Sequence, residues 1–328
     1  MNILRSVRIA SGLLAFALIW RPLSAHPQQP PAAPGRLVNI GGRRLHLNCT
    51  GTGSPTVIAE SGSGAFSIDW ALVQPEVSKF TRFCGYDRAG YAWSDPGPAR
   101  DSVAQTVDDL HLLLQTADIP PPYVLVGASL GALFIRAYQR RYPGQIAGLV
   151  FDDSTTAKTL GFPIDGKNQF IVDISAQQLH DLFASLLRDP PPVPALPTKV
   201  EAPFDNLPRN DPIAWLWAIR KFIAGSDVAQ SMVATESWRE EFIALQQQRL
   251  ERRHPLGDLP VVVLIRGENT DQNHREQGVQ LAALSTVGKL VVAENSGHEI
   301  HLYRPALVVR AIHEVVAAVR NRPPQRAR

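Results

Sequence analysis

Ser129 lies in Gly127-Ala128-Ser129-Leu130-Gly131, a G-x-S-x-G spacing that calls for a sharp strand-to-helix turn with no room for a side chain at either glycine. Such a turn lifts a hydroxyl above the sheet. It also leaves the N–H of Leu130 at a helix start, where the helix field favours developing negative charge. The flanking residues supply the context: 124–126 read as the end of a buried strand, and Gly131 opens a helical pattern. A free serine hydroxyl is a weak nucleophile, so the chain must also provide a base, an acid to orient it and a second N–H donor.

The base is His298, in the late stretch ENSGHEIHLYRP, where Gly297 permits a close turn. It would take the serine proton and return it to a leaving group. His301, three residues on and nearer the final helix, reads as a satisfied polar residue. The acid has two candidates. Asp271 follows the strand 261–265 in RGENTDQN and is the first choice; Asp153, after the strand of AGLVFDD, is the alternate, with Glu268 a minor third. Both loops should open at the same end of the sheet. The second oxyanion donor is the backbone N–H of Ser63 in AESGSGAF, with Gly62 and Gly64 beside it.

The elements that must position these groups follow from the hydrophobic pattern. Short strands at 37–40, 44–49 and 56–60 are separated by GG and GTGSP, and another strand covers 81–86. Val103, Val107, Leu110 and Leu114 form one helical face, with Asp101 or Ser102 as its cap. A strand at 123–126, a helix at 131–141 and a strand at 147–151 come next. A strand at 261–265, a helix at 275–284, a strand at 289–293 and a helix at 305–319 complete the series. Apolar strands alternating with helices mean a mostly parallel sheet covered on both faces, with the early hairpin as an antiparallel edge.

Between Ser154 and Pro260 no buried strand signal appears. Helical pieces at 179–187, 212–223 and 237–250 alternate with joints such as RDPPPVPALP. This block is expected to lie over the strand ends as a cap, anchored by Trp215, Trp217 and Trp238. The expected organisation is a core of residues 36–153 and 260–320, a cap of 154–259, and a disordered basic tail of 321–328.

The 328 residues, 45% hydrophobic and 19% charged, suffice for a sizeable core. Arg5, Arg8 and Arg21 account for the whole excess of 33 basic over 30 acidic residues. The remainder is balanced, and a nucleic-acid footprint is not expected. Residues 1–25, with an apolar run at 9–20, read as a signal peptide, and 26–35 as a Pro-rich linker. Leu23 is poorly suited to cleavage after Ala25, so an uncleaved anchor is the alternative; otherwise no stable membrane span is expected. The protein would be periplasmic or secreted. In that setting Cys49 and Cys84, the only two cysteines, would form a disulfide joining the first hairpin to a central strand. No metal site is expected from two cysteines without histidines at regular spacing.

The pieces IAESGSG, CGYDRAGYAWSDPGP, GASLG, LVFDDS and NSGHEIHLYRP, in this order, resemble the alpha/beta-hydrolase family, in its exported bacterial esterase and lipase-like form. The resemblance covers nearly everything from Leu37 to Val319. It implies a triad of Ser129, His298 and an acid after the strand 261–265, with Leu130 and Ser63 as the oxyanion donors. Asp87 and Arg88 would brace the scaffold. GENTD departs from the common G-E-x-D spacing by one residue, and relatives lacking an acid in that loop use an aspartate after the preceding strand. The usual His-Gly of the oxyanion loop is Ser61-Gly62 here. Serine at the elbow also separates the chain from dehalogenases and epoxide hydrolases of similar fold, which use aspartate there.

The expected activity is hydrolysis of a small or medium apolar carboxylic ester through an acyl-enzyme, in the 3.1.1 class, without a cofactor. No G-x-G-x-x-G fingerprint is present. An aminopeptidase or amidase would need a fixed cap carboxylate, for which Asp227, Glu236, Glu240 and Glu241 are candidates. A lactonase would use the same triad, and a catalytically silent ligand-binding protein is the reading from another class. The oligomeric state is not legible.

Overall fold

The computed structural model describes residues 29–164, 166–192 and 194–322. The expected leader lies outside them, as do residues 26–28 of the linker and 323–328 of the tail. Strands β1 (Arg36–Asn39) and β2 (Arg44–Thr50) form the early hairpin, followed by β3 (Thr56–Glu60), the short helix α1 (Gln74–Val77) and β4 (Phe83–Tyr86). Helix α2 (Val103–Thr116), β5 (Tyr123–Ala128), α3 (Gly131–Arg141) and β6 (Ile146–Asp152) follow. After the cap come β9 (Val261–Arg266), α7 (Gln272–Ala282), β10 (Lys289–Ala293), α8 (Ile300–Tyr303) and α9 (Pro305–Arg320).

The main sheet has the order β1-β2-β4-β3-β5-β6-β9-β10. Pairings from β4 to β10 are parallel, whereas β1–β2 and β2–β4 are antiparallel. The apolar runs are continuous because both sheet faces are covered. Val57, Ala59, Val124 and Val126 face α1 and α9, against Val73, Val308 and Ile312. Ile58 and Leu125 face the opposite layer, which contains Leu110 and Leu114 of α2 and Leu133 of α3. Ser102 caps α2 by accepting the Gln105 N–H at 3.3 Å. No helix among the described residues is long and apolar enough to cross a membrane.

Cys49 and Cys84 face each other in the β2–β4 register and are joined by a disulfide, with Cα atoms 4.1 Å apart. The bond ties the hairpin to β4, as expected.

The cap contains α4 (Ala176–Arg188), α5 (Asp211–Ala224) and α6 (Val228–Glu251). It also contains an antiparallel pair, β7 (Gly161–Ile164) and β8 (Lys167–Phe170), which corrects the expectation of helices alone. The pair escaped notice because it is short and mostly not buried, carrying Pro163, Lys167, Asn168 and Gln169 in place of an apolar alternation. Trp238 donates its indole N–H to the Asp101 carbonyl at 2.7 Å, and Trp217 packs on Trp93 with ring centroids 5.5 Å apart. Trp215 stacks on Phe204 within the cap.

Candidate active site

Ser129 occupies the turn between β5 and α3 with φ +50°, a left-handed backbone that few non-glycine residues adopt. Its surroundings explain the two glycines. A Cβ on Gly127 would lie 2.8 Å from the Gly131 carbonyl carbon, and a Cβ on Gly131 would run into the Glu60 carbonyl oxygen. The strained turn is pinned by its own backbone: the Ser129 N–H donates to the Asp152 carbonyl at 3.0 Å, and the Thr155 N–H donates to the Ser129 carbonyl at 3.0 Å. The Ser129 and Thr155 hydroxyls lie 3.2 Å apart in a hydrogen bond.

The loop after β3 runs against this turn. A Cβ on Gly62 would be 3.1 Å from the Ser129 Cβ, a tight contact that glycine avoids. Arg88, buried, fixes the loop's orientation. It donates to the Ser61 and Gly62 carbonyls at 2.6 Å each and pairs with Glu60 at 2.6 Å and Asp101 at 2.9 Å. In a planar trans peptide the C=O and N–H point in opposite directions. Arg88 at the Gly62 carbonyl therefore turns the Ser63 N–H the other way. Neither the Ser63 nor the Leu130 N–H has an acceptor among the described residues. Leu130 is buried, and a buried N–H is rarely left unpaired.

His298, in the loop after β10, meets Asp153 rather than Asp271. Its Nδ1 lies 2.5 Å from Asp153 Oδ2. The Asp271 carboxylate, first choice from the sequence, caps α7 instead, accepting the His274 N–H at 2.7 Å. An aspartate one residue before a helix is held there by the unpaired N–H groups of the first turn. Asp153 has φ +41°, and its N–H donates to the Leu264 carbonyl at 3.0 Å. It follows β6, next to β5 in the sheet, so the carboxylate starts one strand from the elbow.

Asp153 is fully enclosed and fully paired. Oδ1 accepts the Arg266 N–H at 3.0 Å and faces His274 Nε2 at 2.8 Å, while Oδ2 accepts Arg266 Nη1 at 2.6 Å as well as the His298 contact. Burial pushes the carboxyl upward, but the hydrogen bonds from His274, His298 and the Arg266 backbone, with the charge of His298, hold it well below the usual carboxylate range. The hydrogen bond to Asp153 raises His298 above its ordinary value, against burial, which lowers it. The His298 side chain is 40% exposed, and its Nε2 has no partner among the described residues. A ring anchored through Nδ1 and free at Nε2 has the arrangement a general base requires.

His274, Arg266 and Thr155 were not read from the sequence as part of this site. His274 falls one turn into α7, and Arg266 ends β9 just before Gly267; neither lies in a motif of its own. His301 is buried, pairs with Asp152 at 2.7 Å and stacks on Trp70, the satisfied role expected of it. Asp87 accepts the Ser67 N–H at 2.8 Å and pairs with His46 at 2.8 Å, bracing β4. No group of three or more potential metal ligands is found among the described residues.

The profile described as "Alpha/beta hydrolase family" matches residues 57–311. The chain belongs to this family, and hydrolysis is the class of chemistry that membership supports. A Bacillus subtilis relative, the uncharacterized protein YqjL, is 27% identical over 273 residues, which are 82% of this chain and 86% of that protein. A Schizosaccharomyces pombe relative, the uncharacterized protein C23C11.06c, is 30% identical over 159 residues, and the chain spans only 30% of its length. Among solved structures, a thermophilic esterase from Thermogutta terrifontis superposes with a TM-score of 0.58 at 20% identity, covering 84% of this chain and 94% of that one. At that identity the likeness carries the fold.

Proposed function

We propose that this chain is a serine hydrolase cleaving carboxylic esters, with Ser129 as nucleophile, His298 as base and Asp153 as the acid that orients it. The observation that carries the reading is the Asp153–His298 hydrogen bond beside the strained Ser129 turn, with two unclaimed N–H groups flanking the serine. When substrate binds, the Ser129 hydroxyl turns from Thr155 to His298 Nε2. Its oxygen attacks the ester carbonyl carbon as the proton passes to the imidazole. The carbonyl π electrons move to oxygen, where the Leu130 and Ser63 N–H groups stabilise the oxyanion; each such donor contributes about 3 kcal/mol in the transition state. Collapse expels the alcohol, which takes the proton from His298. Water, deprotonated by the same ring, then attacks the acyl-enzyme and releases the acid and free Ser129.

The esterase name of the Thermogutta structure supports an ester substrate as the first to test. An aminopeptidase reading is less favoured, because two of its four candidate amine-binding carboxylates are already engaged. Glu241 is bonded to Arg140 at 3.0 and 2.6 Å, and Asp227 caps α6 through the Ala229 N–H at 2.9 Å. The disulfide suits an oxidising compartment, and export belongs to this proposal. The test is turnover of p-nitrophenyl esters beside aminoacyl-anilides by wild type and Ser129→Ala. Ester cleavage lost in the variant is expected. Undiminished cleavage would overturn the nucleophile, and preference for the anilides would overturn the substrate class.

A further inference from the structure

Beside the nucleophile, a cavity of about 150 Å³ lies between α3, the cap helix α6 and α7. Its lining is mixed: an apolar part comes from Leu133 and Phe151 of the core, Phe242 and Leu245 of the cap and Leu281 of α7, and the rest is polar. That is the size of cavity that holds a benzene-sized apolar group. Two of its polar side chains are buried and keep unspent hydrogen-bond donors.

Arg136 is 4% exposed and has no carboxylate partner among the described residues. Its terminal nitrogens reach only neutral amide oxygens, Gln139 at 3.2 Å and Gln248 at 3.0 Å, so the remaining N–H groups of its fork are unspent. The closest acid in its field, Glu241, is already bound by Arg140. Burial pushes the guanidinium down to about 10. Glu241 opposes that fall and Arg140 adds to it; a buried charge that shares its acid with a second arginine is costly, and a bound anion would lower that cost.

Gln277, of α7, is also 4% exposed, and its Nε2 is a buried donor with no partner. Its Oε1 accepts the Thr156 hydroxyl, which fixes the amide. Unspent donors on α3 and α7, Lys158 and Arg249 also in the lining and no Asp or Glu among the described lining residues together specify an acceptor bearing negative charge. Arginine's planar fork matches a carboxylate.

We infer that this cavity binds a short carboxylate with an apolar body, its oxygens taken by Arg136 and Gln277 and its carbon chain by Leu133, Phe242 and Leu281. Thr155 lines the same cavity and hydrogen-bonds Ser129, which puts the site one side chain from the nucleophile. The carboxylate is either the far end of the acyl half of the substrate or a separate small acid. The binding chemistry is common to both and does not depend on the proposed triad.

The test is calorimetric titration of the full protein with hexanoate and with hexanamide, its neutral counterpart of the same length. Hexanoate is expected to bind one per chain and at least about tenfold more tightly than hexanamide. Arg136→Met should erase that preference and Arg136→Lys should retain part of it. Leu281→Trp, which fills the cavity from α7, should abolish binding of both, so the inference stays testable even if Arg136→Met fails to fold. Equal binding of acid and amide, no hexanoate binding, or full hexanoate affinity in Leu281→Trp would each overturn it. Competitive inhibition of p-nitrophenyl butyrate hydrolysis by hexanoate identifies the acyl half as the source. Non-competitive inhibition identifies a separate acid.

Discussion

Asp153 Oδ2 and His298 Nδ1 lie 2.5 Å apart, joined across 145 residues of sequence. The pair makes the choice of acid measurable. Asp153→Asn should lower kcat by roughly 10⁴-fold, the effect of losing the group that sets the tautomer of a catalytic histidine. Asp271→Ala should leave kcat nearly unchanged and instead cost about 1 kcal/mol of stability, the value of a helix cap. Parallel kinetics and thermal melts on the two variants separate the roles, and a large kcat loss in Asp271→Ala alone would reverse them.

The same pair sets the pH dependence. The hydrogen bond to Asp153 raises His298, and in the proposed role as base it works only when neutral. Activity should therefore be low in acid and rise with pH through a midpoint above about 6.5, the ordinary histidine value. The residual activity of Asp153→Asn should rise through a lower midpoint, since the raising partner is gone. A kcat/KM profile of each protein checks this.

In the proposed mechanism His274 acts through Asp153 and not on substrate. Its Nε2 faces the oxygen of Asp153 that His298 does not use, at 2.8 Å. Replacing it with leucine removes one partner of a buried carboxylate, and kcat should fall about tenfold with KM little changed. A purely structural role would appear as a lowered melting temperature with unchanged kcat.

The disulfide closes a loop with a sequence separation of 35. By loop entropy, its loss should cost about 4 kcal/mol. Thiol titration of the unreduced, denatured protein should find no free thiol, and chemical denaturation with and without reductant should show the difference in stability.

The proposed nucleophile and base stand out in the sequence because each sits in a local pattern. Ser129 has a strand before it and a helix after it, and His298 follows a glycine in the last strand-to-helix loop. The acid does not, because the loops of Asp153 and Asp271 open at the same end of the sheet and local sequence cannot say which reaches a ring 145 positions away in one case and 27 in the other. The helix read at 275–284 begins at Gln272, which makes Asp271 its cap, and that demand for its carboxylate competes with a role at the histidine. The sheet was readable because its strands are continuously apolar. The β7–β8 hairpin was not, because it is short and mostly not buried. The cavity at Arg136 depends on three separate helices meeting, a relation no single segment carries.

In the proposed mechanism the Ser129 oxygen becomes acylated. Treating the protein with a fluorophosphonate and locating the adduct by peptide mass spectrometry tests it most directly. One adduct per chain is expected, on Ser129, absent in Ser129→Ala and formed far more slowly in His298→Ala. Labelling at another residue, or no labelling of a folded protein that still hydrolyses esters, would contradict it.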